Sequence, residues 1–318
     1  MNIEKIYENF ALTTSGYADF RGRANEVISE LIASAPTLSM LVPQTGIKAG
    51  SSTDLNILTT DVTWSSADCL STETGDNTVL APRNISVVRL TDRELLCLDK
   101  LDAKVPQLVA AGARNEELSF SEAFINLKVA ANAKELEKLA WKGNVAAGSG
   151  NFALTDGFLK IADGETGALA YYATGTTAVL ADIVAKVRVA LDNRTDEMRE
   201  NGSTLFLSSA YASMLSQALV DANLFNYGQV SENENGVMEF NFPGTNVKIK
   251  GTYGLSSNNS MFLTIEGNLR YGTDLENDKE NVELFFDKYH KQMVSDLVFA
   301  AGFQYEFPSQ VVYIKTIA

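Results

Sequence analysis

Few residues in this sequence combine type and spacing in a way that could support chemistry, and each such group has a plainer explanation. Gly148-Ser149-Gly150-Asn151-Phe152-Ala153 satisfies the loose form of a dinucleotide fingerprint. That fingerprint needs a strand before it and a helix N-terminus after it, where the pyrophosphate sits. Here a helical pattern precedes it and Thr155-Asp156-Gly157 signals a turn. His290 is the single histidine, in the polar run Asp287-Lys288-Tyr289-His290-Lys291. A nucleophilic triad or a multi-histidine metal site would have to be built around it alone, so it reads as a solvated turn residue. Asp274, Glu276, Asp278, Glu280 and Glu283 could suggest a calcium loop or paired acids for glycoside cleavage. The glycine that turns a calcium loop is missing and Asn277, Lys279 and Asn281 are interleaved, so a solvated acidic turn is expected. Cys69 and Cys97 are the only cysteines, too few for a disulfide framework or a metal site. No catalytic, cofactor-binding or metal-ligating residue is therefore assigned, and the chain is not read as an enzyme.

The elements that would position such residues are more informative. Ser119 to Gly143 reads as one long helix, with a capping box of Ser119 and Glu122 at its start and Gly143 as a left-handed stop. At about 1.5 Å per residue it spans roughly 35 Å. Its apolar residues fall in two rows, Phe120, Phe124, Leu127, Ala131 and Ile125, Val129, Ala133, Leu136, Ala140. Such a helix can carry packed material on two sides, which makes it a spine.

Ahead of the spine, residues 1–21 read as an arm without clean periodicity, and residues 23–34 as a short amphipathic helix stopped by Pro36. Residues 55–64 and 84–90 alternate like strands on either side of the turn signal Gly75-Asp76-Asn77. They predict a long two-stranded ribbon, which is marginal in water by itself. Residues 91–111 look helical but interrupted by Pro106. After the spine, a helix is expected over 177–200, a buried strand at 204–207, a helix capped by Ser208 or Ser209, and a loop over 223–244. Strands follow at 247–250, 261–266, 282–289, 293–305 and 310–316.

Composition limits the partners. The 318 residues are 45% hydrophobic, enough for a sizeable core in about two lobes, and the formal charge is −14. Gripping a polyanion by counterion release needs Lys and Arg at the surface, so no DNA-binding activity is expected. No run of about 18 apolar residues occurs, and no membrane association is expected.

The order of elements resembles the major capsid proteins of tailed bacteriophages, the Hong Kong 97-type fold that encapsulin shells share. Gln292-Met293-Val294, followed by Tyr305-Glu306-Phe307-Pro308-Ser309-Gln310-Val311-Val312-Tyr313-Ile314-Lys315, is similar to the family's last two strands, joined through a proline. Gly267-Asn268-Leu269-Arg270-Tyr271-Gly272-Thr273 and Val282-Glu283-Leu284-Phe285-Phe286 look like the strand pair before them. Leu139-Ala140-Trp141-Lys142-Gly143-Asn144, with Asp156-Gly157-Phe158-Leu159, matches the helix-to-loop junction.

The resemblance implies an α+β fold with an N-terminal arm and short helix (1–36) and an extended loop (37–90). It implies a peripheral domain (91–149 and 256–318, spine 119–142) and an axial domain (150–255). It implies a structural protein that self-assembles into hexamers and pentamers of an icosahedral shell around phage double-stranded DNA. The alternative is an encapsulin-type compartment enclosing cargo enzymes. Expected partners are further copies of the chain, a separate scaffolding protein, a portal vertex and DNA packed without specific binding. The expected place is the virion, after assembly in the host bacterial cytoplasm. Some relatives weld subunits through an extended-loop lysine, but no lysine occurs between Lys48 and Lys100, so non-covalent stability is expected unless Lys48 serves. Arg83, Arg89 and Arg93 are candidates for pairing with a neighbour's carboxylates.

Overall fold

The computed structural model describes residues 24–62, 77–97, 120–165, 169–174, 180–221, 231–232, 238–256, 259–274, 281–287, 289–290 and 292–317. In chain order, α1 is Ala24–Ser34, β1 Val42–Gln44, β2 Ser52–Asp61, β3 Asn77–Ser86, β4 Val88–Cys97, α2 (the spine) Phe120–Lys142 and α3 Phe158–Gly164. Then come β5 Leu169–Thr174, α4 Leu180–Asp192, α5 Asp196–Glu200, β6 Ser203–Ser208, α6 Ser209–Asp221, β7 Ser231–Glu232 and β8 Met238–Asn241. The chain closes with β9 Val247–Thr252, β10 Met261–Thr264, β11 Leu269–Gly272, β12 Asn281–Asp287, β13 Gln292–Tyr305 and β14 Val311–Ile317.

Three sheets result. One has five strands in the order β1-β11-β13-β12, with β4 also on β13; one has seven, β5-β14-β10-β6-β9-β8-β7; β2 and β3 form the third by themselves. Strands β10 and β14, from the span 256–318, pair with β6 and β5 from the span 150–255. The two spans are thus interleaved within one sheet.

The spine covers the five-stranded sheet with one row only. Ile125, Val129, Ala133, Leu136 and Ala140 are buried, whereas Leu127 is 69% exposed and Ala131 is exposed. Of the second row expected from the sequence, Phe124 is half-buried, and the Phe120 side chain lies outside the described residues. Ser119 lies outside the described residues. At the other end Gly143 is not left-handed. It is needed because a Cβ there would overlap the Thr155 carbonyl oxygen, where the chain turns back and the Gly157 N–H donates to the Gly143 carbonyl at 2.9 Å.

Trp141, fully buried, joins the layers. Its ring lies 5.4 Å from Phe158 of α3, 5.1 Å from Phe206 of β6 and 5.5 Å from Phe262 of β10, while Phe158 reaches Phe303 of β13 at 5.7 Å. Aromatic rings at these separations and tilts add edge-to-face attraction to the area they bury. That side chain ties the spine directly to the seven-stranded sheet and, through Phe158, to the five-stranded one.

Four expectations change. Residues 91–97 are strand, not helix: Leu90, Asp92, Glu94 and Leu96 turn inward and Thr91, Arg93 and Leu95 outward, and β13 pairs with β4 along its length. That partner outweighs the helical preference of Glu and Leu, a weak prior in any case; residues 98–111 lie outside the description. The second ribbon strand is 77–86, with 88–97 a separate strand beyond Val87. The helix expected over 177–200 breaks after Asp192, where Asn193 Nδ2 donates to the Val189 carbonyl at 2.8 Å and Thr195 Oγ1 accepts the Met198 N–H at 3.4 Å. The loop expected over 223–244 contains β7 and β8; Phe240, opposite Ile249, supplies the buried side chain that holds β8 on β9.

Replacing Trp141 with alanine should lower unfolding stability by about 3–5 kcal/mol, measured by chemical denaturation, because no neighbour can collapse across three layers.

Candidate assembly interface

The β2–β3 ribbon has ten rungs, from Ser52 opposite Ser86 to Asp61 opposite Asn77. Its root is seated on the body. There Leu55, Ile85 and Val87 pack with Ile47 and Ala300 as a separate small core. The seat is made by two glycines that face each other across β11 and β13, Gly272 and Gly302. A Cβ on Gly302 would overlap the Ser86 carbonyl oxygen, and one on Gly272 would stand 2.8 Å from Val87 Cγ2. Any larger residue would lift the ribbon from its seat.

Hydrogen bonds fix the root further. The Gly50 N–H donates to the Val87 carbonyl at 2.8 Å and the Val87 N–H to the Ser51 carbonyl at 3.1 Å, with Gly50 in the left-handed region at φ 82°. Asp274 Oδ2 accepts the Ala49 N–H at 3.0 Å and the residue is 1% exposed. It is therefore a buried anchor, which corrects the solvated-turn reading; residues 275–280 lie outside the description.

Arg83 clamps the angle. Its Nη1 donates to Glu165 Oε2 at 2.8 Å, its Nη2 to Gln304 Oε1 at 3.1 Å, and the guanidinium lies 4.6 Å from the centre of the Tyr305 ring. Burial, with Glu165 nearby, pushes the Tyr305 phenol well above its ordinary range. Arg93 Nη2 donates to Asp296 Oδ2 at 2.6 Å. Arg83 and Arg93 each have a carboxylate partner within the chain, and Arg89 also has a partner in it.

Beyond the root the ribbon carries apolar groups into solvent. Leu58 and Leu80, directly opposite, are 66% and 59% exposed, and Val62 is 61% exposed. Two rungs on, Thr60 and Thr78 face each other with their Oγ1 atoms 3.0 Å apart. Among the described residues no further strand pairs with either edge. The body has a groove of about 260 Å³ between the spine and β4, lined by apolar residues such as Leu136, Leu139 and Phe299 and by the polar Asp92, Asn132 and Glu135.

The chemistry-bearing residues weighed in the sequence are not brought together. His290 is in the exposed turn between β12 and β13, its Nδ1 2.6 Å from Asp287 Oδ2, a bond that holds the Asp287 carboxyl below its ordinary range. Gly148 and Gly150 lie in an exposed turn between two 3-10 segments, with no strand before them. Cys69 lies outside the description. Among the described residues no three His, Cys, Asp or Glu side chains gather to hold a metal, and no helix is long and apolar enough to cross a membrane. The glycine pair at 272 and 302 went unread because its signal is a register between strands thirty residues apart in sequence.

No protein-family model matches the chain, and no curated protein matches it in sequence. Solved structures share its fold. The satellite phage P4 procapsid that includes the size determination (Sid) protein is 11% identical, covers 92% of this chain and 99% of its own, and superposes with a TM-score of 0.54. Gordonia phage Cozz is 14% identical over 90% and 87% with a TM-score of 0.56. The holo-SrpI encapsulin complex of Synechococcus elongatus is 7% identical over 89% and 88% with a TM-score of 0.53. The chain has the α+β Hong Kong 97-type fold expected from the resemblance.

Gly302→Ala should cost about 1–3 kcal/mol and should raise amide exchange at Gly50 and Val87 more than in the body, read by hydrogen-exchange mass spectrometry.

Proposed function

We propose that this protein is the major capsid protein of a tailed bacteriophage, a non-enzymatic shell subunit. Its copies form the hexamers and pentamers of an icosahedral head around double-stranded DNA. The observation that carries this reading is the ribbon, seated at its root and with Leu58 and Leu80 exposed beyond it. Apolar side chains and strand edges left in water favour pairing with another chain. A subunit that reaches its neighbour this way, and is reached in turn, enters a closed ring. Each further contact is then intramolecular, so modest contacts sum to a stable shell.

The regions take roles on this reading. Residues 1–36 are the arm and its helix, 37–90 the extended loop, 91–149 and 256–318 the peripheral domain, and 150–255 the axial domain. The formal charge of −14 leaves a wall to which DNA does not adhere by counterion release, which suits a genome that must be packed and later ejected. A separate scaffolding protein and a portal vertex complete the set of partners, with assembly in the host bacterial cytoplasm and residence in the virion. A compartment enclosing cargo enzymes is the second reading; the encapsulin likeness, at a TM-score of 0.53 against 0.54 and 0.56 for the phage structures, supports it nearly as well.

Electron microscopy and sedimentation of the protein expressed alone test the proposal. Shells or capsomers are expected; a stable monomer of 34.5 kDa at high concentration contradicts it. Nuclease-protected DNA inside native particles selects the phage head, and a co-purifying enzyme selects the compartment. Replacing Leu58 and Leu80 together with aspartate should abolish assembly while leaving the unfolding midpoint of the dilute subunit unchanged.

A further inference from the structure

A carboxyl group with no role in the assembly reading lies at the centre of the molecule. Glu137, on the spine, is 0% exposed. Its Oε2 accepts the Thr37 N–H at 3.0 Å and its Oε1 meets the Thr37 hydroxyl, while the Trp141 indole N–H donates to Thr37 Oγ1 at 3.1 Å. Thr37 opens the 3-10 turn Leu38–Met40 that follows α1, and its own side chain makes no cap to that turn. Glu137 supplies the cap from across the helix interface instead. The docking of α1, which buries Val27, Ile28 and Leu31, is thereby coupled to one titratable side chain.

Among the described residues no cation offsets it. Lys138 of the spine bonds Glu135 and lies over the Tyr253 ring, and Lys142 donates to the Ser256 carbonyl. Lys250, the charged group beside the turn, is held by Met40 Sδ at 3.3 Å and lies 3.9 Å from Glu239. Lys134 of the spine and Glu30 of α1 are exposed. Against the loop on the remaining side, Gly254 is packed so closely that a Cβ would overlap Trp141, which leaves no room for a counter-ion.

We propose that Glu137 is a proton-controlled latch: protonated, it holds α1 and the following turn against the spine; ionised, it releases them. The inference goes beyond the shell reading and does not depend on it. Enclosure is the larger influence and raises the carboxyl to about 7, against the opposing hydrogen bonds from Thr37 and Trp141. The closed form therefore binds the proton more tightly than the open form, whose carboxyl titrates near 4.5. Docking is strongest below that value and weakens as pH rises through 7. Between pH 5.5 and pH 8 the opening equilibrium should rise roughly thirtyfold.

Trp141 is the reporter, and Trp64, the other tryptophan, is removed as Trp64→Phe. In that background Trp141 emission should titrate with a midpoint near 7 and become flat when Glu137→Gln is added, since the amide preserves shape without charge. Emission that stays flat from pH 5 to pH 9, or a transition that survives Glu137→Gln unchanged, overturns the proposal. Hydrogen exchange of the unsubstituted chain, corrected for intrinsic rates, is the second measurement. Opening over residues 27–41 should rise with pH by the stated factor while β6 does not change; equal change in both segments, or none in the first, also overturns it.

Discussion

A two-stranded sheet fixed at one end is a structure that water does not favour. Such a ribbon has two unpaired edges and one thickness, so neither its backbone groups nor its leucines can be satisfied by its own atoms. Here it is not loosely attached. Gly272 and Gly302 give it a flat seat, Ile85 and Val87 plug a small core, and Arg83 spans Glu165, Gln304 and Tyr305. The direction in which it leaves the body is set by packing, and on the proposed reading the rest is covered by another copy of the chain.

The body is a platform for that direction. Strand β13 holds the glycine beneath the root, pairs with β4, β11 and β12, and carries Phe303 and Tyr305 into the main core. The same core holds Trp141, where the spine meets the seven-stranded sheet directly and the five-stranded sheet through Phe158. Strain at the root would thus be felt through a single strand by the tightly packed centre. Close-packed interiors transmit such displacements more than they absorb them.

Much of this was legible in residue order, and the failures share a cause. The spine's inner row, α1 with Val27, Ile28 and Leu31, and the all-buried β6 follow from periodicity alone, because each signal lies within one element. Residues 91–97 misled because Glu94, Leu95 and Leu96 suit a helix until β13 is laid beside them. Asp274 looked solvated because its neighbours are acidic; its burial depends on the Ala49 N–H, 225 positions away. Arg83 was rightly singled out, but its carboxylate, Glu165, is in the same chain. Glu137 sits between Leu136 and Lys138 with nothing local to mark it. Contacts between distant segments decide these cases, and a single sequence records only their local halves.

The central claim is that Leu58 and Leu80 are covered by another copy of the chain and not by their own. Hydroxyl-radical footprinting of these two side chains across a concentration series reads this directly. The account predicts ready oxidation of both in the dilute subunit and strong protection once the protein assembles. Protection already complete in the dilute subunit, or oxidation undiminished in the assembled particle, would contradict it.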